Sequence, residues 1–111
     1  MTRREILTRA AALVFLPLLA GGPAAAAGPR THTIVMQNMR FGPVPANIKA
    51  GDTIVWVNRD IVPHTATARN GSFDVVIPAR RSATMVVRRT GTLAFYCRYH
   101  PAMRGSLVAA R

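Results

Sequence analysis

Leu93-Ala94-Phe95-Tyr96-Cys97-Arg98-Tyr99-His100-Pro101-Ala102-Met103 reads as a strand that runs into a loop. Its first four residues are apolar or aromatic, the kind that fits a pleated, half-buried surface. From Cys97 the pattern changes: the only cysteine of the chain is followed by a histidine three positions on and a methionine three beyond that. Such spacing does not suit a strand, whose successive side chains point to opposite faces. It suits a tight loop folded around one point, stiffened where Pro101 fixes its own φ. Thiolate, imidazole and thioether are soft donors that favour copper over magnesium or calcium, which want oxygen. The best fourth donor is His64, in Val62-Pro63-His64. Two histidines, a cysteine and a weak axial methionine are the donor set of a blue-copper site.

Outward from this loop the chain reads as short strands separated by turns. Thr53 to Asn58 is the clearest, with Ile54 and Trp56 on one face and Thr53, Val55 and Val57 on the other. Both faces are fairly apolar, so it is expected to be a central strand. Thr33 to Gln37, Ala83 to Val87 and Ser106 to Ala109 are further strands. Thr65 to Arg69 and Ser72 to Ile77 flank Asn70-Gly71, the signal of a two-residue type I′ hairpin. Pro43 and Pro45 cannot donate to a ladder, which places their segment at an edge or bulge. No stretch sustains a helical period. Seven or eight short strands with frequent turns predict an all-β chain folded as an antiparallel β-sandwich.

The residues that carry the loop also carry a resemblance. Cys97-x-x-His100-x-x-Met103 with an upstream Pro63-His64, 33 residues before the cysteine, resembles the type 1 copper site of the cupredoxins, above all the small bacterial amicyanin- and plastocyanin-like members. Phe41-x-Pro43, Gly51-Asp52-Thr53, Trp56-x-Asn58, Gly71-x-Phe73, Gly91 and Phe95-Tyr96-Cys97 resemble the same proteins, so the likeness spans about residues 33 to 109. It implies a Greek-key sandwich with one type 1 copper at one end, held by His64, Cys97, His100 and Met103. It further implies an electron carrier rather than an enzyme, with copper storage, delivery or resistance on the same fold as the alternative. Electrons are expected to cross near His100, through an apolar patch of Pro63, Pro101 and Ala102. Three positions depart from the family pattern. Thr65 stands where many relatives carry an asparagine that ties the two ligand loops, and a hydroxyl is expected to tie them less firmly. Ala79-Arg80-Arg81 lacks the glycine usual in that turn. Arg98-Tyr99 replaces the proline found between cysteine and histidine in amicyanin-like loops.

The N-terminal segment reads separately. Thr2-Arg3-Arg4 precedes an apolar run from Ala10 to Ala20, then Gly21-Gly22-Pro23 and Ala24-Ala25-Ala26-Ala27. This is the order of a secretory signal, and the paired arginines resemble a Tat signal. Residues 1–27 are therefore expected to be a signal peptide and 28–111 the domain, in the periplasm. The apolar run is short of the roughly 20 residues that a membrane span needs. A lone cysteine in an exported chain has no partner for an internal disulfide, which again favours a metal ligand. Covalent haem attachment is not expected, since Cys97-Arg98-Tyr99-His100 lacks a second cysteine.

The 111 residues contain 15 lysines and arginines against four acids, a formal net charge of +11. Removing Arg3, Arg4, Arg9 and Glu5 with the signal leaves twelve basic and three acidic residues, a net +9. Such a field steers toward an acidic redox partner, such as a cytochrome c, a dehydrogenase or an oxidase, or toward an anionic membrane surface. Sparse aromatics and export argue against nucleic acid. A monomer is expected. His32 has no counterpart in the family pattern, and strand period places Met36 beside Ile34 in the core rather than in a His/Met metal cluster.

Overall fold

Thr53–Asn58 alternates as its sequence demands: Ile54, Trp56 and Asn58 are buried and the residues between them half-buried. In the computed structural model, which describes residues 28–111, this strand lies in the interior of a sheet. The expected signal peptide, residues 1–27, falls outside the described residues. Among the described residues nine strands follow one another: β1 Thr31–Gln37, β2 Arg40–Phe41, β3 Ile48–Lys49, β4 Thr53–Asn58, β5 His64–Ala68, β6 Asp74–Ile77, β7 Ser82–Val86, β8 Gly91–Tyr96 and β9 Arg104–Ala110. One sheet has the order β2-β1-β4-β7 and the other β3-β9-β8-β5-β6.

The sandwich is the one expected, with two refinements. β2 and β3 are only two residues long and flank the Pro43 and Pro45 segment, where missing donors keep pairing short. They raise the strand count to nine. Two pairings are parallel, β1 with β4 and β3 with β9. After the β1–β2 hairpin the chain crosses to the edge of the second sheet and returns in the direction of β1, the crossover that parallel neighbours require.

Turn chemistry also differs from the reading by dipeptide. The two-residue turn with positive φ at both positions is Asn38-Met39, at 56° and 61°. Asn70-Gly71 sits in a four-residue loop instead, with Ala68 N–H donating to Phe73 O at 2.9 Å and only Gly71 at positive φ. In the turn after β6, Arg80 takes φ 62° where relatives are expected to use glycine. Its N–H donates to Asp60 O at 3.1 Å, and Arg81 N–H to Pro78 O at 3.1 Å, so the turn shape is kept by hydrogen bonds.

Between the sheets lie Ile34, Met36, Ile54 and Trp56 from one side and Ala66, Ile77, Leu93, Phe95 and Leu107 from the other. Trp56 and Phe95 pack edge to face at 5.2 Å, and Phe41 meets Phe95 at 4.8 Å, within the favourable range for aromatic pairs. Gly105 is required by this packing, since a Cβ there would stand 2.7 Å from the Phe95 ring. Cys97 and Met103 belong to the same buried cluster, so the core continues unbroken to the end of the sandwich that carries the loop.

Candidate metal centre

Two loops meet at that end. The first follows β4. Asn58 is buried, and its Nδ2 donates to Val62 O at 2.9 Å, Ile77 O at 3.1 Å and Pro78 O at 3.3 Å. One side chain thus ties the β4–β5 and β6–β7 connections and fixes where β5 begins, at His64. The second is Cys97 to Met103. Met103 N–H donates to His100 O at 2.8 Å, closing a turn with Pro101 at its favoured second position. Cys97 N–H donates to Met103 O at 3.0 Å and closes the whole loop.

Of the four expected ligands, the structure brings His64 and Cys97 face to face. His64 Nδ1 lies 3.8 Å from Cys97 Sγ, and both residues are fully buried. The His100 ring packs edge-on against His64 at 5.3 Å and is half-buried. Met103 is buried at the base of the loop. Among the described residues, no three His, Cys, Asp or Glu side chains close fully around one point. His32 is at the other end of the molecule and joins no such group; its neighbour Met36 is core, as expected, and Met39 is exposed.

The donor set fits a soft metal ion. His64 Nε2 lies 2.8 Å from Asp60 Oδ2. An ionised carboxylate can only accept, so Nε2 carries the hydrogen and Nδ1 keeps its lone pair, aimed at the sulfur. The 3.8 Å between them is less than one metal–nitrogen plus one metal–sulfur bond, about 2.0 and 2.3 Å, so one ion can touch both. Thr65 N–H donates to Cys97 Sγ, 3.3 Å away, and holds the sulfur in place.

Asp60 was not singled out from the sequence. Its place four residues before His64 is the one signal that marks it. Burial works against its ionisation, yet hydrogen bonds from His64 and from the amides of Met39 and Asn38 hold its pKa below the ordinary carboxylate value. Thr65 proves stronger than expected: its Oγ1 accepts Arg98 N–H at 2.8 Å and so does tie the two ligand loops. It continues to Thr67 and Asp74, also unmarked in the sequence. The Thr67 hydroxyl, opposed by burial and aided by Arg98, lowers the Asp74 pKa.

A mixed β-sandwich with a cysteine–histidine pair buried at one end defines a narrow class of proteins. The cupredoxin-like domain family matches residues 9–109, and the chain belongs to it. The chain is 28% identical over 94 residues to amicyanin of Paracoccus versutus, a match covering 78% of this chain and 71% of that protein. It is 30% identical over 81 residues to amicyanin-alpha of Methylorubrum extorquens, covering 68% of each. The crystal structure of Paracoccus versutus amicyanin superposes with a TM-score of 0.60 at 24% identity, over 71% of this chain and 80% of that one. A purple cupredoxin from Nitrosopumilus maritimus gives 0.61 at 23% identity, over 71% and 99%. These two likenesses show a shared fold. Amicyanin-like cupredoxins carry electrons, are not enzymes and bind one type 1 copper.

Proposed function

We propose that this chain is an exported blue-copper electron carrier whose single copper is held by His64, Cys97, His100 and Met103. The observation that carries the reading is the buried pair of His64 Nδ1 and Cys97 Sγ, 3.8 Å apart, with the other histidine nitrogen occupied by Asp60. Bound copper supplies the one-electron couple. The chain supplies the surroundings. Asp60 fixes the tautomer of His64, Thr65 N–H donates to the Cys97 sulfur, and full burial of Cys97 and His64 keeps water away. His100 alone among the four reaches toward solvent, so it is the exit for the electron. Pro63, Pro101 and Ala102 are exposed near it, with Tyr99 and Ile61 at 46% and 77% exposure, an apolar surface on which a partner can dock.

All three acids of the described residues are paired with a basic side chain of the same chain, Asp52 with His32, Asp60 with His64 and Asp74, at the surface, with Arg98. The positive charge therefore faces outward with little to offset it, which favours an acidic redox partner such as a cytochrome c, a dehydrogenase or an oxidase. The relatives and the signal-like N-terminus support a periplasmic location. Copper delivery on the same fold calls for an accessible sulfur; the closed loop and the buried Cys97 favour the carrier.

The test is a visible absorption spectrum of the copper(II)-loaded protein, with voltammetry alongside. An intense thiolate-to-copper band and one reversible one-electron wave are expected, both lost on removing copper with a chelator and both absent in Cys97→Ser. A loaded Cys97→Ser variant that stays strongly coloured would remove the thiolate from the site.

A further inference from the structure

Ladder pairing between β5 and β8 stops at Thr67↔Tyr96 and Ala68↔Phe95. His64 and Thr65 on one strand, and Cys97 and Arg98 after the other, lie beyond the last pair. Something other than the sheet must hold these ligand-bearing ends together. We propose that Thr67 and Asp74, which touch no metal-ligand side chain, are positioning residues that lock the two ligand loops through a closed ring of hydrogen bonds.

The ring can be traced atom by atom. Arg98 N–H donates to Thr65 Oγ1 at 2.8 Å. Thr65 Oγ1 and Thr67 Oγ1 are 2.9 Å apart. Thr67 Oγ1 donates to Asp74 Oδ1 at 2.7 Å, and Arg98 Nε donates to that same oxygen at 3.1 Å. The directions are forced. A carboxylate only accepts, so the Thr67 hydroxyl hydrogen points to Asp74 and its oxygen must accept from Thr65. The Thr65 hydroxyl then has its oxygen free for Arg98 N–H. One carboxylate orients every hydrogen in the ring, and the ring begins and ends on the residue that follows Cys97.

Strand geometry makes this arrangement available. Thr65 and Thr67, two apart on β5, face the same side of the sheet, and Asp74 pairs with Thr67 across β6. Both threonines are buried, so breaking the ring strands a hydroxyl out of water, whereas the Arg98–Asp74 pair is exposed and worth little alone. The inference rests on the proposed copper site for what the ring serves, but the ring itself is made of the chain's own atoms and is tested without metal.

The experiment compares Asp74→Ala, Asp74→Asn, Thr67→Val and Thr67→Ser in the metal-free protein. It measures amide hydrogen exchange at Arg98 and the rate at which buried Cys97 reacts with a thiol reagent. Asp74→Ala and Thr67→Val should each speed both by about fivefold, the factor of one net hydrogen bond. Together they should do little more than either alone, as parts of one unit. Thr67→Ser should behave as the parent, and Asp74→Asn nearly so, because its amide oxygen still accepts. Amides of Leu93 and Leu107 should not change. In the copper-loaded protein, Asp74→Ala should shift the reduction potential and Thr67→Ser should not.

Unchanged Arg98 exchange and Cys97 reactivity in Asp74→Ala would overturn the ring. So would a parallel rise at Leu93, which reports general loosening. A potential that stays put in Asp74→Ala while exchange rises would overturn its role at the site. Failure of the copper reading itself would appear differently, as no coloured complex with any variant while the metal-free effects persist.

Discussion

Two histidine–aspartate pairs flank β4, one at each end, and they are nearly identical as pairs. His32 Nε2 lies 2.8 Å from Asp52 Oδ2, and His64 Nε2 lies 2.8 Å from Asp60 Oδ2. In both, the carboxylate also accepts two backbone amides, those of Arg30 and Lys49 at Asp52 and those of Asn38 and Met39 at Asp60. Asp52 joins the start of β1 to β3 and the start of β4, and its role ends there. The second pair differs in what the remaining nitrogen of the histidine sees. For His64 it is a buried thiol 3.8 Å away, with a second histidine ring beyond. A histidine oriented by a carboxylate is thus a structural clamp by default. It becomes part of a candidate centre only where other soft donors converge on its free nitrogen.

The largest effect expected from this comparison comes from exchanging the two histidines in turn. His64→Ala should abolish the intense absorption of the copper-loaded protein, while His32→Ala should leave its position and intensity unchanged. Absorption of the two loaded variants at equal copper content checks this. A loss of colour in His32→Ala with the fold intact would break the distinction between the pairs.

A smaller effect concerns stability and pH. Asp52 titrates near a pKa of about 2, lowered from 3.8 first by the hydrogen bond from Arg30 N–H, then by His32 and by Lys49 N–H. A carboxyl with a depressed native pKa contributes stability that is complete above its unfolded value and is lost as pH falls through the native one. Asp52→Asn should therefore lower the urea midpoint at pH 7, and the gap from the parent should narrow between about pH 4 and pH 2. A gap that stays constant over this range would show that the charge of Asp52 contributes nothing.

The smallest effect separates the two ends by charge. Arg104 follows the loop directly and has no ion pair among those described, whereas Arg98 is held by Asp74. Arg104→Glu should lower the second-order rate with an acidic redox partner by a few-fold at low salt and weaken its salt dependence. Arg88→Glu, beside the Asp52 end, should change both less. Stopped-flow kinetics across ionic strength measures this, since screening shortens the Debye length to about 8 Å at physiological salt. Equal responses would mean that net charge alone steers.

Cys97, His100 and Met103, the proposed loop donors, are contiguous within one turn-closed segment, so local spacing is enough to mark them as candidates. His64 joins them as a candidate because Pro63 precedes it and a four-donor set needs one more, and the structure sets its ring beside Cys97. Trp56 and Ile54 could be placed in the core by period alone, since a strand's two faces follow from geometry that every strand shares. Asp60, Thr67 and Asp74 could not be read. Each matters through a partner brought by strand pairing, Thr67 by its register with Asp74 and Asp60 by its contact with the β1–β2 turn.

That turn shows the division most clearly. Asn70-Gly71 has the composition of a type I′ hairpin, yet its loop relaxes to four residues. Asn38-Met39 adopts the turn although methionine resists positive φ, because both of its amides donate to Asp60 at 2.8 and 3.0 Å. Propensity is a local preference of about 1 kcal/mol, and two hydrogen bonds to a carboxylate outweigh it. The sequence alone determined the longer strands, their buried faces and the loop that carries Cys97, His100 and Met103, which depend on near neighbours. Only the tertiary structure decided which carboxylate orients His64, which nitrogen faces Cys97 and what ties the ligand loops, because those contacts exist only after distant strands have paired.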